Sequence, residues 1–195
     1  MGTATSRLAA VGIALLFVAA AGCGSTKQAG HSQSGAAGFA WLHPSPPPAG
    51  WQTVRIPSGA AVAYPPGWAR IHGDPGTASV ALLSSSHQYL GYLNITPRQG
   101  SETLDNWARF RVEHNADEGD RSVKTLAATT MRRFGGGQIS CVNDAYVTAT
   151  GVRYVELACL VGGSRGNVVV VGTGAPEAWA RVSPLLQQAI NSTTA

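Results

Sequence analysis

Three cysteines and five histidines are the residues of this chain whose types could do covalent or metal chemistry. Cys23 closes an apolar run, while Cys141 and Cys159 lie far downstream. If Cys23 is used at the N-terminus, the other two remain as an even pair, which in an exported domain is usually a disulfide. Zinc would need further Cys or His at ligand spacing; none stands there, and no metal is expected. His31, His43, His72, His87 and His114 form neither H-x-x-H nor H-E-x-x-H. Ser84-Ser85-Ser86-His87 sets hydroxyls beside an imidazole, but catalytic triads are assembled across space rather than from chain neighbours. No G-x-S-x-G elbow occurs, and Gly162-Gly163-Ser164-Arg165-Gly166 lacks the lysine of a phosphate loop. No catalytic residue and no cofactor is assigned.

Asn115-Ala116-Asp117-Glu118-Gly119-Asp120 is the one acidic cluster. Its spacing does not match a calcium-binding loop, so a solvated loop after a helix is expected. Trp51, Trp68, Trp107 and Trp179 fall in or at the ends of predicted elements, which makes them core residues by default. Exposed among Tyr89, Tyr92, Tyr146 and Tyr154, they would instead line a groove for an apolar ligand or a glycan.

The elements that must position these residues follow from periodicity and punctuation. Short alternating runs begin at Trp51, Ala60, Trp68, Ala78 and Gly91, separated by Pro- and Gly-containing turns. A helix is predicted over 102–115, capped by Ser101 or Thr103 with Glu102 and Asp105 in its first turn. Val123–Arg133 is ambiguous and in part strand. Ile139–Thr148, Val152–Gly162 and Asn167–Gly172 read as three antiparallel strands with tight links. A last helix starts near Pro176, with a break at Ser183 because Pro184 follows. The fold class is α+β, an antiparallel sheet with packed helices.

The link between the first two of those three strands fixes a register. If Ala149-Thr150-Gly151 is a three-residue hairpin loop, with Gly151 supplying positive φ, Val152 faces Thr148 and Cys159 falls opposite Cys141. Asn143 then faces Leu157, Ala145 faces Val155, and Val147 faces Arg153. A two-residue turn would send the thiols to opposite faces. The alternative to a bridge is two small buried thiols.

The N-terminal 50 residues are of another kind. Arg7 precedes an apolar run, Leu8 to Cys23, that ends in Ala20-Ala21-Gly22-Cys23. The run is shorter than the ~18 residues of a spanning helix and has the layout of a secretory leader. The cysteine directly after small residues resembles a bacterial lipoprotein signal, in which cleavage precedes the cysteine and its thiol carries diacylglycerol. The position three before Cys23 departs from that pattern, being Ala20 where Leu is usual. Plain secretion with a free Cys23 is the alternative. Residues 24–50 are rich in Gly, Ser, Ala and Pro and read as a flexible tether. Phe39 to Leu42 form an apolar island in it that either docks on the domain or dips into the lipid interface. The expected divisions are therefore a leader over 1–22, a tether over 23–50 and one domain over 51–195.

At Tyr64-Pro65-Pro66-Gly67-Trp68 the chain resembles PsbP-like domains, where a Tyr-Pro-x-Gly-Trp element follows the first strands. The order of strands, central helix, meander and final helix is similar from about Trp51 to Ser192. The whole chain is also similar to small actinobacterial lipoproteins of the LpqN type. The resemblance implies an antiparallel sheet closed by a C-terminal helix. It carries no catalytic residues, because a fold does not dictate a function.

Net charge is +4, with no basic cluster larger than Arg132-Arg133, so nucleic acid is not an expected partner. The expectation is a module at the extracytoplasmic face of the cell membrane, held there through Cys23, that binds or assembles with an envelope protein, a glycan or an apolar ligand. An envelope hydrolase with an unrecognised Ser/His or Asp site is the alternative.

Overall fold

The computed structural model describes residues 38–195; the expected leader with Cys23, and the part of the expected tether up to residue 37, lie outside the described residues. Nine strands and two helices follow in order: β1 Gln52–Arg55, β2 Ala61–Tyr64, β3 Ala69–Ile71, β4 Ala78–Leu83, β5 Tyr89–Pro97, α1 Trp107–Asp117, β6 Arg121–Phe134, β7 Gly137–Val147, β8 Arg153–Gly163, β9 Gly166–Gly174 and α2 Trp179–Asn191. β1 and β2 form a separate hairpin. The other seven make one antiparallel sheet in the order β3-β4-β5-β9-β8-β7-β6.

The sheet buries both faces. On one lie Leu93, Ile95, Val170, Cys159, Leu157 and Cys141, packed with Val182, Leu186 and Ile190 of α2 and with the β1–β2 hairpin. On the other lie Val142, Ala158, Leu160 and Val169, beneath Trp107 of α1. Alternation along each strand divides apolar side chains between two covers, so interior strands such as β8 read as nearly continuous apolar runs.

The Tyr64–Trp68 element carries the chain from the hairpin to the sheet. Tyr64 donates to Gln52 Oε1 at 2.6 Å. Trp68 then packs on Gly91 of β5, where an added Cβ would meet the indole at 2.8 Å. Only glycine lets the ring lie that close to the backbone.

The β7–β8 hairpin has the expected register. Gly151 has φ +89°, Thr148 donates its N–H to the Val152 carbonyl at 2.8 Å, and Val147, Ala145 and Asn143 face Arg153, Val155 and Leu157. Cys141 and Cys159 are directly opposed and disulfide-bonded, with α-carbons 4.1 Å apart.

Four expectations change. α1 begins at Trp107, five residues later than predicted. Thr103 and Asn106 instead exchange backbone-to-side-chain hydrogen bonds at 2.7 and 3.1 Å, which closes a turn ahead of the helix. Glu102 leaves the helix and is buried. α2 runs through Pro184 without a break. Ala180, whose carbonyl loses its i+4 donor there, is exposed, as is Pro184 itself, so the site is open to solvent and the missing N–H costs little. Val123–Arg133 belongs wholly to β6, a 14-residue edge strand with three register shifts.

The fourth change is the start of the domain, which moves upstream of Trp51. Phe39 and Leu42 are core residues, so the island docks. Asn191 of α2 clamps the segment, accepting from the His43 N–H at 3.1 Å and donating to the Trp41 carbonyl at 2.9 Å. Among the described residues no helix is long and apolar enough to cross a membrane.

Candidate binding groove

α1 packs mainly over β6, β7 and β8, with Trp107 reaching Val169 of β9. The rest of that face, over β4, β5 and the remainder of β9, is left open, and a groove of about 690 Å³ forms there. Ser79, Tyr92, Asn94, Thr96, Val169 and Val171 line its floor. The polar floor residues hold one another: Asn94 Nδ2 donates to Ser79 Oγ at 2.8 Å, Ser79 Oγ and the Tyr92 hydroxyl lie 3.1 Å apart, and Gln99 donates to Thr96 Oγ1 at 3.2 Å.

α1 supplies the wall. Trp107, Phe110 and His114 recur at helical spacing and stack along the axis, with ring centroids 6.2 and 5.8 Å apart. Trp107, 1% exposed, is pinned by its indole N–H to the Ala158 carbonyl at 2.9 Å. Opposite, the loop from His72 to Thr77 makes the other rim. Glu102 closes one end. Its Oε1 accepts the Gln99 N–H at 2.7 Å, and its Oε2 has no hydrogen-bond partner.

Beneath α1 lies a polar cluster that joins helix to sheet. Arg111 donates from Nε and Nη2 to the two oxygens of Glu156 at 2.6 and 2.8 Å. The Tyr146 hydroxyl donates to the same carboxylate at 3.4 Å. Burial works against the Arg111 charge, but the adjacent Glu156 carboxylate holds its pKa above the usual guanidinium value. Burial, then the negative charge of Glu156, raises the Tyr146 phenol.

Asp144 stands directly opposite Glu156 across β7 and β8. It is fully buried. Burial first, and Glu156 second, push its carboxyl up to about 8. Asn115 Nδ2 approaches Asp144 Oδ2 at 3.5 Å, while Oδ1 of both residues has no donor. A protonated Asp144 brings a donor among these acceptors, so packing and charge favour the same neutral state.

The histidines separate. His114 Nε2 lies 3.1 Å from Glu118 at the groove rim, and His72 lies on the opposite rim. His87 is exposed in the β4–β5 turn, where the Ser84 hydroxyl accepts backbone N–H groups of Ser86 and Gln88. His43 belongs to the docked segment, and His31 lies outside the described residues. Ser79, the groove serine, pairs with Tyr92 and Asn94 rather than with a histidine. Of the aromatics singled out, Trp107 and Tyr92 meet in the groove; Trp68, Trp51 and Trp179 pack with the other core. Asn115, expected in a solvated loop, lies in the last turns of α1 and is fully buried on its sheet-facing side. The Arg111, Asp144 and Glu156 cluster was not anticipated. Its signal was available: the hairpin register that pairs the cysteines also sets the only two acids of these largely apolar strands, Asp144 and Glu156, opposite each other.

No family model matches the chain, and no curated protein sequence matches it. Among solved structures it is similar to CyanoP, the cyanobacterial PsbP of Synechocystis sp. PCC 6803. That match has a TM-score of 0.54 and 19% identity, over 75% of this chain and 93% of that one. Weaker likenesses are to PA94 of Pseudomonas aeruginosa, with a TM-score of 0.44 and 10% identity over 74% of this chain and 96% of that one, and to LpqN, involved in cell envelope biogenesis of Mycobacterium tuberculosis. The LpqN match has a TM-score of 0.41 and 11% identity, over 74% of this chain and 91% of that one. The domain has a PsbP-like α+β fold, as the Tyr64–Trp68 element implied.

Proposed function

We propose that this chain is an extracytoplasmic binding or assembly module, anchored to the cell membrane through an acylated Cys23. The observation that carries the binding half is the groove left where α1 covers only part of the sheet. Its floor offers hydroxyl and amide groups, and its wall offers stacked rings. That combination suits an extended polar ligand, a glycan or a strand of an envelope protein, better than a wholly apolar one. The leader-like run Leu8 to Cys23 supports export, and the Cys141–Cys159 disulfide suits an oxidising compartment.

The test is to fill the groove. Asn94→Arg with Thr96→Trp should abolish capture of a ligand from native envelope extract while leaving the melting temperature within a few degrees. Equal capture by wild type and filled variant would place the ligand elsewhere. A hydrolytic reading rests on one observation, the His114–Glu118 pair at the rim. It requires turnover of an ester, glycan or phosphate substrate that His114→Ala abolishes.

A further inference from the structure

The sheet face that carries the disulfide is covered at one end and open at the other. In the open part, three strands bring bases into register. Arg121 of β6 faces Val147 of β7, which faces Arg153 of β8. Next to that row, Lys124 faces Ala145, which faces Val155. Arg121, Lys124 and Arg153 are exposed, with Ala145, Val147 and Val155 half-buried between them. Leu126 of β6, 49% exposed, adds a large apolar side chain at the bulge beside Ala127. β6 holds four basic residues and no acidic one. None of these bases makes an ion pair among the described residues. Asp120 precedes Arg121, and its carboxyl feels burial first and then the charges of Glu118, Glu156 and Arg111.

The chain from Cys23 joins the domain on this same face. An added Cβ at Gly38 would meet the Ala127 Cβ of β6 at 2.9 Å, and Arg132 donates to the Phe39 carbonyl at 2.7 Å. Only residues 24–37 separate that point from Cys23, and a chain of that length reaches at most about 50 Å when fully extended.

We infer that this basic face docks on an anionic lipid surface, the one in which the acylated Cys23 sits; the inference rests on the anchored reading above. The two chains of a diacylglycerol at Cys23 already anchor stably, so the basic face orients the domain on the anionic surface rather than completing the anchor. Bases on an edge strand also guard against strand pairing. That role does not account for Arg153, which lies two strands inside the edge, nor for an edge already broken by three register shifts.

The experiment uses the chain from residue 23 with Cys23→Ser, so that no acyl chain contributes. It is sedimented with vesicles of phosphatidylglycerol and phosphatidylcholine at 3:7, or of phosphatidylcholine alone, with and without a soluble poly(glycerol phosphate). Binding to the anionic vesicles only, weakened by salt, is expected. Arg121→Gln, Lys124→Gln and Arg153→Gln together should lower partitioning by roughly tenfold or more, whereas Arg70→Gln on the far edge should not. Melting curves confirm that the variants fold. Equal binding to both vesicle types, no binding, undiminished binding by the triple variant, or binding to the polymer alone overturns the inference. An unmodified Cys23 in the native host would defeat the anchor reading without altering any of these outcomes.

Discussion

Arg111 of α1 reaches across to Glu156 of β8 and grips both carboxylate oxygens, at 2.6 and 2.8 Å, in a site where Glu156 is fully buried. This pair, with the Trp107 indole, ties α1 to the sheet and so sets the wall of the groove. A buried pair loses most when one partner goes, because the other charge is left without compensation. Glu156→Leu should therefore cost about 3–5 kcal/mol in denaturant unfolding. Adding Arg111→Met should recover much of that loss; a double variant no more stable than the single would show that the pair is not the coupling element.

Asp144 makes stability depend on pH. Its folded-state pKa, about 8, lies above the roughly 3.9 of an unfolded aspartate. The folded state therefore holds the proton more tightly. The associated stability is complete below the unfolded pKa and is lost as pH rises toward and through the folded value. Unfolding free energy should fall between about pH 5 and pH 9, and Asp144→Asn should flatten that decline. A wild-type curve that rises over this range contradicts the assignment.

The disulfide should contribute about 3 kcal/mol by the chain-entropy model, given a sequence separation of 18. Cys141→Ser with Cys159→Ala, compared with the oxidised wild type, measures it. An unchanged midpoint would mean that the bridge constrains little of the unfolded chain.

Trp107→Ala removes a buried ring that also donates to the Ala158 carbonyl. A loss of about 3–5 kcal/mol is expected. A loss under about 1 kcal/mol, within the range of surface substitutions, would mean that α1 does not seal the sheet.

What the sequence revealed was local. The β7–β8 register could be counted from one loop, because Gly151 fixes the turn and period-two alternation propagates it. β6 resisted such counting because its bulges break the alternation, with Ser122 and Met131 at positive φ. The start of α1 was misplaced because Glu102 suits a first helical turn as well as it suits its actual buried place. Which residue caps is decided by the Thr103–Asn106 exchange, a matter of tertiary fit. The break at Pro184 was expected from a rule about hydrogen bonds that water can satisfy at an exposed site. The groove was least visible. It arises from where α1 ends over the sheet, and its residues come from β4, β5, β9 and α1, far apart in the chain.

The central claim is that the domain works outside the cytoplasm on a lipid anchor, and an intact-mass measurement of the protein from native membranes tests it most directly. The account predicts a mature chain that begins at Cys23, carries a diacylglycerol thioether, and has Cys141 and Cys159 linked. A soluble chain retaining residues 1–22, with Cys23 unmodified and both other thiols free, would contradict it.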